Sequence, residues 1–226
     1  MCQYNLIRAD RKTVSLKITK DGNVEVRAPR SAAKTWIDEF VRSKEKWIEQ
    51  RLVAVQERQE QREEFTVTYG SRLLWRGAEY PLIGETEGNR IWLDDAGFHL
   101  PAGRDADTLK YNVIRLYKIY AKPYLTERTL HFAKLMGVLP AAVKVTDAKT
   151  RWGSCSGKKS INFSWRLMMA EDDVIDAVVV HELAHIKEMN HSPAFWAIVE
   201  SILPDYKQRQ AKLKALQKKL AAEDWD

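Results

Sequence analysis

A cluster of histidines with the spacing of metal ligands lies near residue 185. The run His181–His185 reads H-E-L-A-H, and His191 follows six residues after the last histidine of that run. Residues four apart lie on the same face of a helix, one turn from each other. His181 and His185 can therefore direct imidazole nitrogens at one ion, whereas Glu182 is rotated by about 100° around the helix. The spacing predicts two metal ligands with a carboxylate beside them.

This combination of side chains is suited to hydrolysis. A zinc ion (Zn²⁺) lowers the pKa of its bound water to about 7 and polarises the carbonyl oxygen that is attacked. A carboxylate in the position of Glu182 can take the proton from that water and pass it to the leaving group. The expected chemistry is therefore zinc-dependent hydrolysis with Glu182 as the general base.

Catalytic zinc usually has three protein ligands, so the two histidines of the helix need a third partner. We assign His191 to this role. Asn190 and the Ser192-Pro193 pair favour a turn between two helices, which would bring His191 back over the metal. Glu200 and Asp205 remain the alternative third ligands.

Two further candidate residues lie upstream, in the segment Thr150–Ser156. Its small side chains predict a tight turn between strands. Arg151 could orient a substrate oxyanion or a phosphate, although an ordinary surface arginine is an equally good interpretation. Cys155 fits a buried structural thiol better than a nucleophile, because the clustered histidines are better used on a metal.

The elements that must position these residues follow from the surrounding pattern. The apolar run Val174–Val180 predicts a buried helix that begins near Asp172 or Asp173 and carries the histidine motif. Ser192 and Pro193 are suited to the cap and first turn of another helix. Strands are predicted upstream, at 143–145 and 160–165, and an amphipathic helix downstream, at 205–222.

The first hundred residues are rich in strand signals. Asp21-Gly22 between two alternating runs predicts a hairpin, and Ser31 is suited to cap a long helix that continues to about Arg62. Five short runs predict an antiparallel β meander: 65–69, 72–75, 79–83, 90–93 and 98–100. The change of composition at Pro101–Arg104 predicts a boundary between a β-rich region, residues 1–100, and a second domain, residues 101–226.

The second domain opens with a long helical segment, from Thr108 to about Met136. Pro123 is expected to kink or split this helix, and Gly137 is expected to end it. Together with the strands on either side, the pattern predicts an α+β fold.

Composition limits the class of protein. The chain has 226 residues, 45% hydrophobic and 30% charged, values that exclude wholesale disorder. No apolar run is long enough to span a bilayer, and the first residues lack the apolar core of a signal peptide. Two cysteines, Cys2 and Cys155, cannot form a disulfide framework. We therefore expect a cytoplasmic protein without a membrane partner.

Four motifs resemble the YgjP-like metallopeptidase-domain family, which is related to the SprT-like proteases and belongs among the zincins. They are Trp152–Ser156, Ile161–Leu167, Val179–His185 and Asn190–Trp196. The resemblance is specific over about Lys144–Ile202 and looser in the N-terminal region. It implies a zincin-like core, in which a small antiparallel sheet packs on the active-site helix. It also implies His181, His185 and His191 as ligands and Glu182 as the base.

The residues leave three functions open. A zinc metallopeptidase acting on peptides or proteins is preferred. A nucleotide pyrophosphatase is the first alternative, because basic residues flank the motif and Arg151 and Arg166 would then bind the phosphates. A nucleic-acid-associated protease or binding module is the second, because the net charge is +6 and the last helix is basic. A solvated helix face is the commoner explanation of such a helix.

Overall fold

The computed structural model describes residues 3–225, so Cys2 lies outside the described residues. Contacts between Cα positions divide the chain into two compact units. The first comprises residues 3–65 and 220–224, and the second comprises residues 66–219 with residue 225. Within residues 3–225, none of the helices combines the length and the hydropathy that a membrane crossing requires. Small sheets and six α-helices confirm the predicted α+β class.

The first unit contains a three-stranded sheet in the order β1-β3-β2. Its strands are β1 (Asn5–Ala9), β2 (Ser15–Ile18) and β3 (Val24–Pro29). The predicted hairpin is confirmed, because β2 and β3 pair in antiparallel fashion. Gly22 has a φ of 76° in the connecting turn, a left-handed conformation that glycine adopts without strain. Strand β1 pairs with the other side of β3 in parallel.

Two helices of the first unit replace the single helix that the sequence predicts. Helix α1 (Lys34–Ser43) begins after Ala33, and α2 (Glu45–Glu64) follows a break at Lys44, whose φ of −106° and ψ of 8° are not helical. The break allows residues of both helices to join one hydrophobic cluster with β3. The buried members of this cluster are Val24, Val26, Ala28, Ile37, Val41 and Ile48.

The second unit begins with a four-stranded sheet in the order β4-β5-β7-β6. Its strands are β4 (Arg72–Trp75), β5 (Ala78–Glu85), β6 (Trp92–Leu93) and β7 (Phe98–Pro101). Strands β5 and β7 pair in parallel, which differs from the predicted antiparallel meander, and no strand forms at 65–69. All four residues of β7 are buried, so this apolar strand takes an interior position and the short β6 takes the edge.

Helix α3 (Ala106–Met136) is the longest element of the second unit. Its N-cap, Asp105, accepts a hydrogen bond from the backbone N–H of Thr108, and Gly137 ends the helix with a φ of 62°, as predicted. The helix is not split at Pro123, because apolar side chains are buried on both sides of the proline and offset the lost hydrogen bond. These buried side chains include Leu109, Val113, Leu116, Tyr117, Leu125 and Phe132.

A smaller sheet follows α3, in the order β8-β10-β9. Its strands are β8 (Ala142–Thr146), β9 (Gly153–Cys155) and β10 (Ser160–Ser164). Strand β10 pairs antiparallel with β9 but parallel with β8. The small sheet of the prediction therefore forms with mixed rather than antiparallel pairing, and β9 lies at its edge.

Three helices complete the second unit after a 3₁₀ segment, Trp165–Met169. They are α4 (Asp172–Ala184), α5 (Pro193–Ile202) and α6 (Tyr206–Leu220). Helix α5 begins as predicted, because the Ser192 side chain accepts a hydrogen bond from the backbone N–H of Phe195. Helix α4 is buried along most of its length and carries the histidine motif at its C-terminal end.

The division between the units falls after residue 65, and not after residue 100 as the change of composition suggests. The four-stranded sheet packs on α3, where the ring centroid of Trp75 lies 6.0 Å from that of Tyr117. The Tyr117 hydroxyl donates to the backbone oxygen of Leu74 at 2.5 Å. The backbone N–H of Arg76 also donates to the Met168 oxygen at 2.8 Å. Strands predicted for an N-terminal domain thus belong with the elements that carry the histidines.

Candidate metal centre

The end of α4 brings the predicted side chains together. His181 and Glu182 lie in the last turn of the helix and His185 is its C-cap residue, so the helical spacing expected for the motif is present. The ring centroids of His181 and His185 are 5.0 Å apart. The two imidazoles therefore share one side of the helix end.

His191 returns to the same place after a turn. The helix tightens where the backbone N–H groups of Lys187 and Glu188 both donate to the Ala184 oxygen at 3.0 Å. The His191 Nε2 atom then lies 3.0 Å from the His181 Nε2 atom. Its ring centroid lies 4.8 Å from that of His185. The turn predicted between the two helices thus brings the third imidazole over the first two.

The three histidines form the one group of at least three metal-ligating side chains in the described part of the chain, with their ligand atoms all within 4.8 Å of one another. The alternative third ligands have other partners. Glu200 lies 3.8 Å from Lys207, and Asp205 accepts hydrogen bonds of 2.9 Å from Arg209. The geometry favours His191 over both carboxylates.

Hydrogen bonds on the far side of two rings orient the imidazoles. The Nδ1 atom of His185 lies 3.1 Å from the backbone oxygen of Glu188, which can only accept, so this nitrogen carries the proton. The Nδ1 atom of His181 lies 3.0 Å from the hydroxyl oxygen of Tyr206. Metal-ligating histidines commonly donate their second N–H to such an acceptor, which leaves the Nε2 lone pair for the metal.

Burial favours the neutral form of His181 and His185. Desolvation, followed by the neighbouring His185 and His191, lowers the pKa of His181 to about 4. Desolvation is also the largest cause that lowers the pKa of His185. Only the neutral imidazole can bind a metal, so the surroundings favour the ligand form at neutral pH. Three imidazoles around one point are a donor set that fits zinc.

Glu182 lies against strand β9 and is 6% exposed. A Cβ atom added to Gly153 would come within 2.7 Å of the Glu182 Oε1 atom, so only glycine fits there without displacing the carboxylate. Burial raises the pKa of Glu182 to about 7, against the opposing effects of Arg151 and of a hydrogen bond from the Cys155 backbone. A carboxyl group with such a pKa can take up and release a proton near neutral pH.

Part of the backbone of strand β9, beside Glu182, is not paired with β10. The Trp152 oxygen and the Ser156 N–H both bond to β10, at 2.8 and 3.0 Å. Because hydrogen-bonding groups alternate along a strand, the backbone groups of Gly153 and Cys155 point away from β10. Burial, followed by the Glu182 charge, raises the pKa of the Cys155 thiol. A raised pKa makes a thiol a weaker nucleophile at neutral pH. Cys155 is half-buried rather than buried, and its structural role stays a prediction.

The two arginines predicted to bind substrate have different surroundings. Arg151 is exposed and lies close enough to Glu182 for its charge to lower the pKa of that carboxyl. Arg166 donates to the backbone oxygens of Asp147 and Trp225, at 3.4 and 3.1 Å, and its guanidinium lies over the Trp165 ring. These contacts give Arg166 a structural function, and substrate binding by either arginine stays a prediction.

Sequence reasoning missed two residues that the fold adds to this centre. Tyr206 lies 25 residues from His181 in the chain, and no local spacing connects them. Gly153 likewise contacts Glu182 over a long distance in the chain, because one lies in an edge strand and the other in a helix. A tyrosine and a glycine are too common for their types alone to have indicated either role.

Comparison with known proteins identifies a family for the chain. The family model described as "YgjP-like, metallopeptidase domain" matches residues 12–216, which is most of the chain. Among curated proteins, none matches. Two solved structures of metallopeptidase zymogens are similar over parts of the chain. The abylysin zymogen of Pyrococcus abyssi is 22% identical, with a TM-score of 0.39, and the match covers 44% of this chain and 97% of that one.

The second of these structures, the jannalysin zymogen of Methanocaldococcus jannaschii, is 18% identical, with a TM-score of 0.36. The match covers 42% of this chain and 95% of that one. The extent of the family match is decisive, because it includes both the first hairpin and the three histidines. The chain therefore belongs to the YgjP-like metallopeptidase-domain family, whose domain is that of a metallopeptidase-type hydrolase acting with a divalent metal on peptides or proteins.

Proposed function

We propose that the protein is a zinc metallopeptidase in which Glu182 is the general base. The observation that carries this proposal is the convergence of three imidazoles, within 4.8 Å of one another, beside a buried carboxyl group. His181, His185 and His191 would hold the ion. Zinc bound there would supply a water molecule of lowered pKa and polarise the substrate carbonyl.

Glu182 does the proton transfer in this proposal. Its carboxylate accepts a proton from the attacking water and returns the proton to the nitrogen of the leaving amine. The pKa of about 7, which results from burial, suits both halves of this transfer at neutral pH. The Cys155 backbone N–H and the wall formed by Gly153 hold the carboxylate in place.

The open edge of β9 supports a polypeptide substrate. An extended peptide can add to an unpaired strand edge through backbone hydrogen bonds. The Cys155 N–H already donates to Glu182, whereas the Gly153 N–H and the backbone oxygens of Gly153 and Cys155 also point away from β10. A peptide that pairs with these groups would pass the carboxylate. Arg151, two residues before Gly153, would orient a carbonyl oxygen or a carboxylate of the substrate.

Paired isosteric variants test the proposal. The Glu182→Gln variant is expected to retain zinc and to lose about 10²- to 10⁴-fold in the rate of peptide cleavage, because only the proton acceptor is removed. The assay follows cleavage of unfolded casein or of a peptide library by mass spectrometry. Glu188→Gln is the matched control, because it makes the same change while keeping the backbone oxygen that binds His185. Full activity of Glu182→Gln would exclude this mechanism.

The two alternative functions gain no support from the family match, which is to a metallopeptidase domain. Several cations of the basic helix α6 also have acidic partners. Lys212 lies 2.6 Å from Glu171, and Lys219 lies 3.1 Å from Glu79. These ion pairs reduce the charge that α6 offers to a polyanion. Assaying nucleoside triphosphates in parallel with peptides would show whether the same centre acts on phosphoanhydrides.

A further inference from the structure

A cavity lies near the opposite end of α4 from the histidines. It has a volume of about 350 Å³, and its walls include Trp75, Tyr80 and Tyr120 together with Arg76, Asp95 and Asp172. Asp172 is the first residue of α4, nine residues before His181, which is about 13 Å along a helix axis. The cavity is therefore separate from the candidate metal centre. Its volume is at the lower end of the range for ligand sites and suits a single side chain or a small amine.

Two aromatic rings form a corner of this cavity. The centroids of Trp75 and Tyr120 are 5.8 Å apart and their planes meet at 77°. Contacts with neighbouring residues fix the positions of both rings. The Tyr120 hydroxyl hydrogen-bonds to the backbone nitrogen and oxygen of Leu93, at 3.2 and 3.0 Å. The Trp75 ring packs on Phe98, with the centroids 6.4 Å apart. The corner is thus preformed, and aromatic rings in the wall of a cavity can attract organic cations.

The positive charge in the wall is already neutralised. Arg76 donates two hydrogen bonds to the Asp172 carboxylate, the one from Nε to Oδ1 at 2.7 Å. Its guanidinium carbon also lies 4.5 Å from the ring centroid of Tyr124. Asp172 therefore neutralises the charge of Arg76, and Tyr124 covers one face of its guanidinium. This ion pair adds no net charge to the wall of the cavity.

The negative charge in the wall is partly free. The Asp94 carboxylate accepts hydrogen bonds from the backbone N–H of Ala96 and from the ring nitrogens of Trp92 and His99, at 2.9, 3.1 and 2.9 Å. The neighbouring Asp95 is exposed and has no hydrogen bond or ion pair within residues 3–225. The charge available to a ligand is therefore that of Asp95, next to the aromatic corner.

We propose that this cavity binds an organic cation, an alkylammonium or a guanidinium group, with its apolar part against Trp75 and Tyr120 and its charge towards Asp95. This chemistry belongs both to a lysine or arginine side chain of a polypeptide and to a free small amine. The inference is independent of the proposed hydrolysis, because none of the residues that carry it lies in the candidate metal centre.

The test is a nuclear magnetic resonance titration that follows the indole N–H signal of Trp75, assigned with Trp75→Phe. The probes are N-acetyl-arginine amide, tetramethylammonium and a tripeptide with a central arginine. The neutral control is N-acetyl-citrulline amide, which has nearly the same shape as the arginine probe. We expect saturable shifts with the cations and a dissociation constant at least about threefold higher for citrulline, from the loss of the cation–π attraction.

Two variants locate the interaction. Asp95→Asn is expected to weaken binding of the arginine probe by about two- to fivefold, the range for an exposed ion pair. Tyr80→Leu removes an aromatic ring from the wall and is expected to weaken binding of the arginine probe by a similar factor. Asp107→Asn removes the same charge at another exposed site and should leave the affinity unchanged. Matching spectra of the free proteins show that each variant is folded.

The outcomes separate the sources of the cation. Tighter binding of the tripeptide than of the amide identifies a basic side chain within a polypeptide as the ligand. Equal binding of the amide, the tripeptide and tetramethylammonium identifies a small amine. Equal shifts with citrulline and arginine, or an Asp95→Asn variant that binds like the wild type, would overturn the proposal.

Discussion

The two ends of α4 differ in how their charged groups are partnered. Near its first turn, Asp176 forms two hydrogen bonds of 2.8 Å with Arg128 of α3, and Asp172 accepts from Arg76 and Tyr124. At its last turn, Glu182 is buried, and the charge of the exposed Arg151 lowers its pKa less than burial raises it. One helix thus has paired carboxylates at one end and a poorly paired one at the other.

The pKa values reflect this difference. The hydrogen bond from Arg76 is the largest cause that lowers the pKa of Asp172, whereas burial raises the pKa of Glu182 to about 7. A paired carboxylate stays ionised and stabilises the fold, while a buried one with little pairing is held near the pKa that proton transfer requires. Substitutions at the first end should therefore alter stability, and substitutions at the second should alter metal binding and catalysis.

The largest effect is expected from His191→Ala. Two histidines do not hold catalytic zinc in the usual three-ligand geometry, so zinc should fall from about one ion per chain to a small fraction of that. Elemental analysis of protein purified without chelator measures the change. His131→Ala is the control, because this exposed histidine lies on α3. Full retention of zinc by His191→Ala would indicate that Glu200 or Asp205, and not His191, is the third metal ligand.

Gly153→Ala should disturb the centre without removing a ligand. The new Cβ atom would meet the Glu182 carboxylate at 2.7 Å and displace it. We expect about a 100-fold loss in the rate of peptide cleavage, the size associated with a misplacement of about 1 Å, with zinc retained. Gly157→Ala is the matched control, since no atom lies within 4 Å of its added Cβ. Equal activity of the two variants would show that the Glu182 position is unimportant.

Tyr206→Phe tests the support of His181. Loss of the hydroxyl, which lies 3.0 Å from the His181 Nδ1 atom, should weaken zinc binding by about 10- to 100-fold. Competition with a chelator of known affinity gives the dissociation constant. The melting temperature of the metal-free protein should change little, since only one oxygen is removed. Tyr111→Phe, at a tyrosine that is 63% exposed, is the control. An unchanged zinc affinity would mean that Tyr206 does not orient the ligand.

Asp176→Asn examines the paired end of the helix. Arg128 and Asp176 have side chains that are 25% and 14% exposed, so removing one charge leaves the other largely buried and without its partner. We expect the free energy of unfolding to fall by about 1–3 kcal/mol while zinc content is unchanged. Urea denaturation and elemental analysis measure the two quantities. Loss of zinc in this variant would contradict the separation of the two ends.

The smallest effect is a pH dependence at Asp172. Its pKa is lowered in the folded protein, so its stabilising effect is present above the unfolded pKa of about 3.9 and is lost as the pH falls through the folded value. Because its side chain is 48% exposed, the difference from Asp172→Asn should be only about 0.5–1 kcal/mol at pH 7. Urea denaturation should show this difference shrinking below pH 4. A difference in the free energy of unfolding that persists at pH 2 would show that the ionised Asp172 carboxylate is not its cause.

Predictions that rest on neighbouring residues agree best with the structure. The hairpin at Gly22, the caps at Ser192 and Gly137 and the course of α4 all follow from a few adjacent side chains. Strand pairing was predicted less well. The parallel pairs β5–β7 and β8–β10 join strands that are not consecutive in the chain, and their partners depend on which apolar strand is buried most deeply.

For the candidate centre, the amino-acid sequence alone determined which side chains could bind a metal and which carboxylate would lie beside it. That information is local, because i and i+4 residues share a helix face whatever the rest of the chain does. Only the tertiary structure decided that Tyr206 supports His181, that Gly153 forms the wall for Glu182 and that burial raises the pKa of this carboxyl to about 7. Desolvation and long-range contacts exist only once α4 is packed against β9 and α6, so no spacing in the sequence could have indicated them.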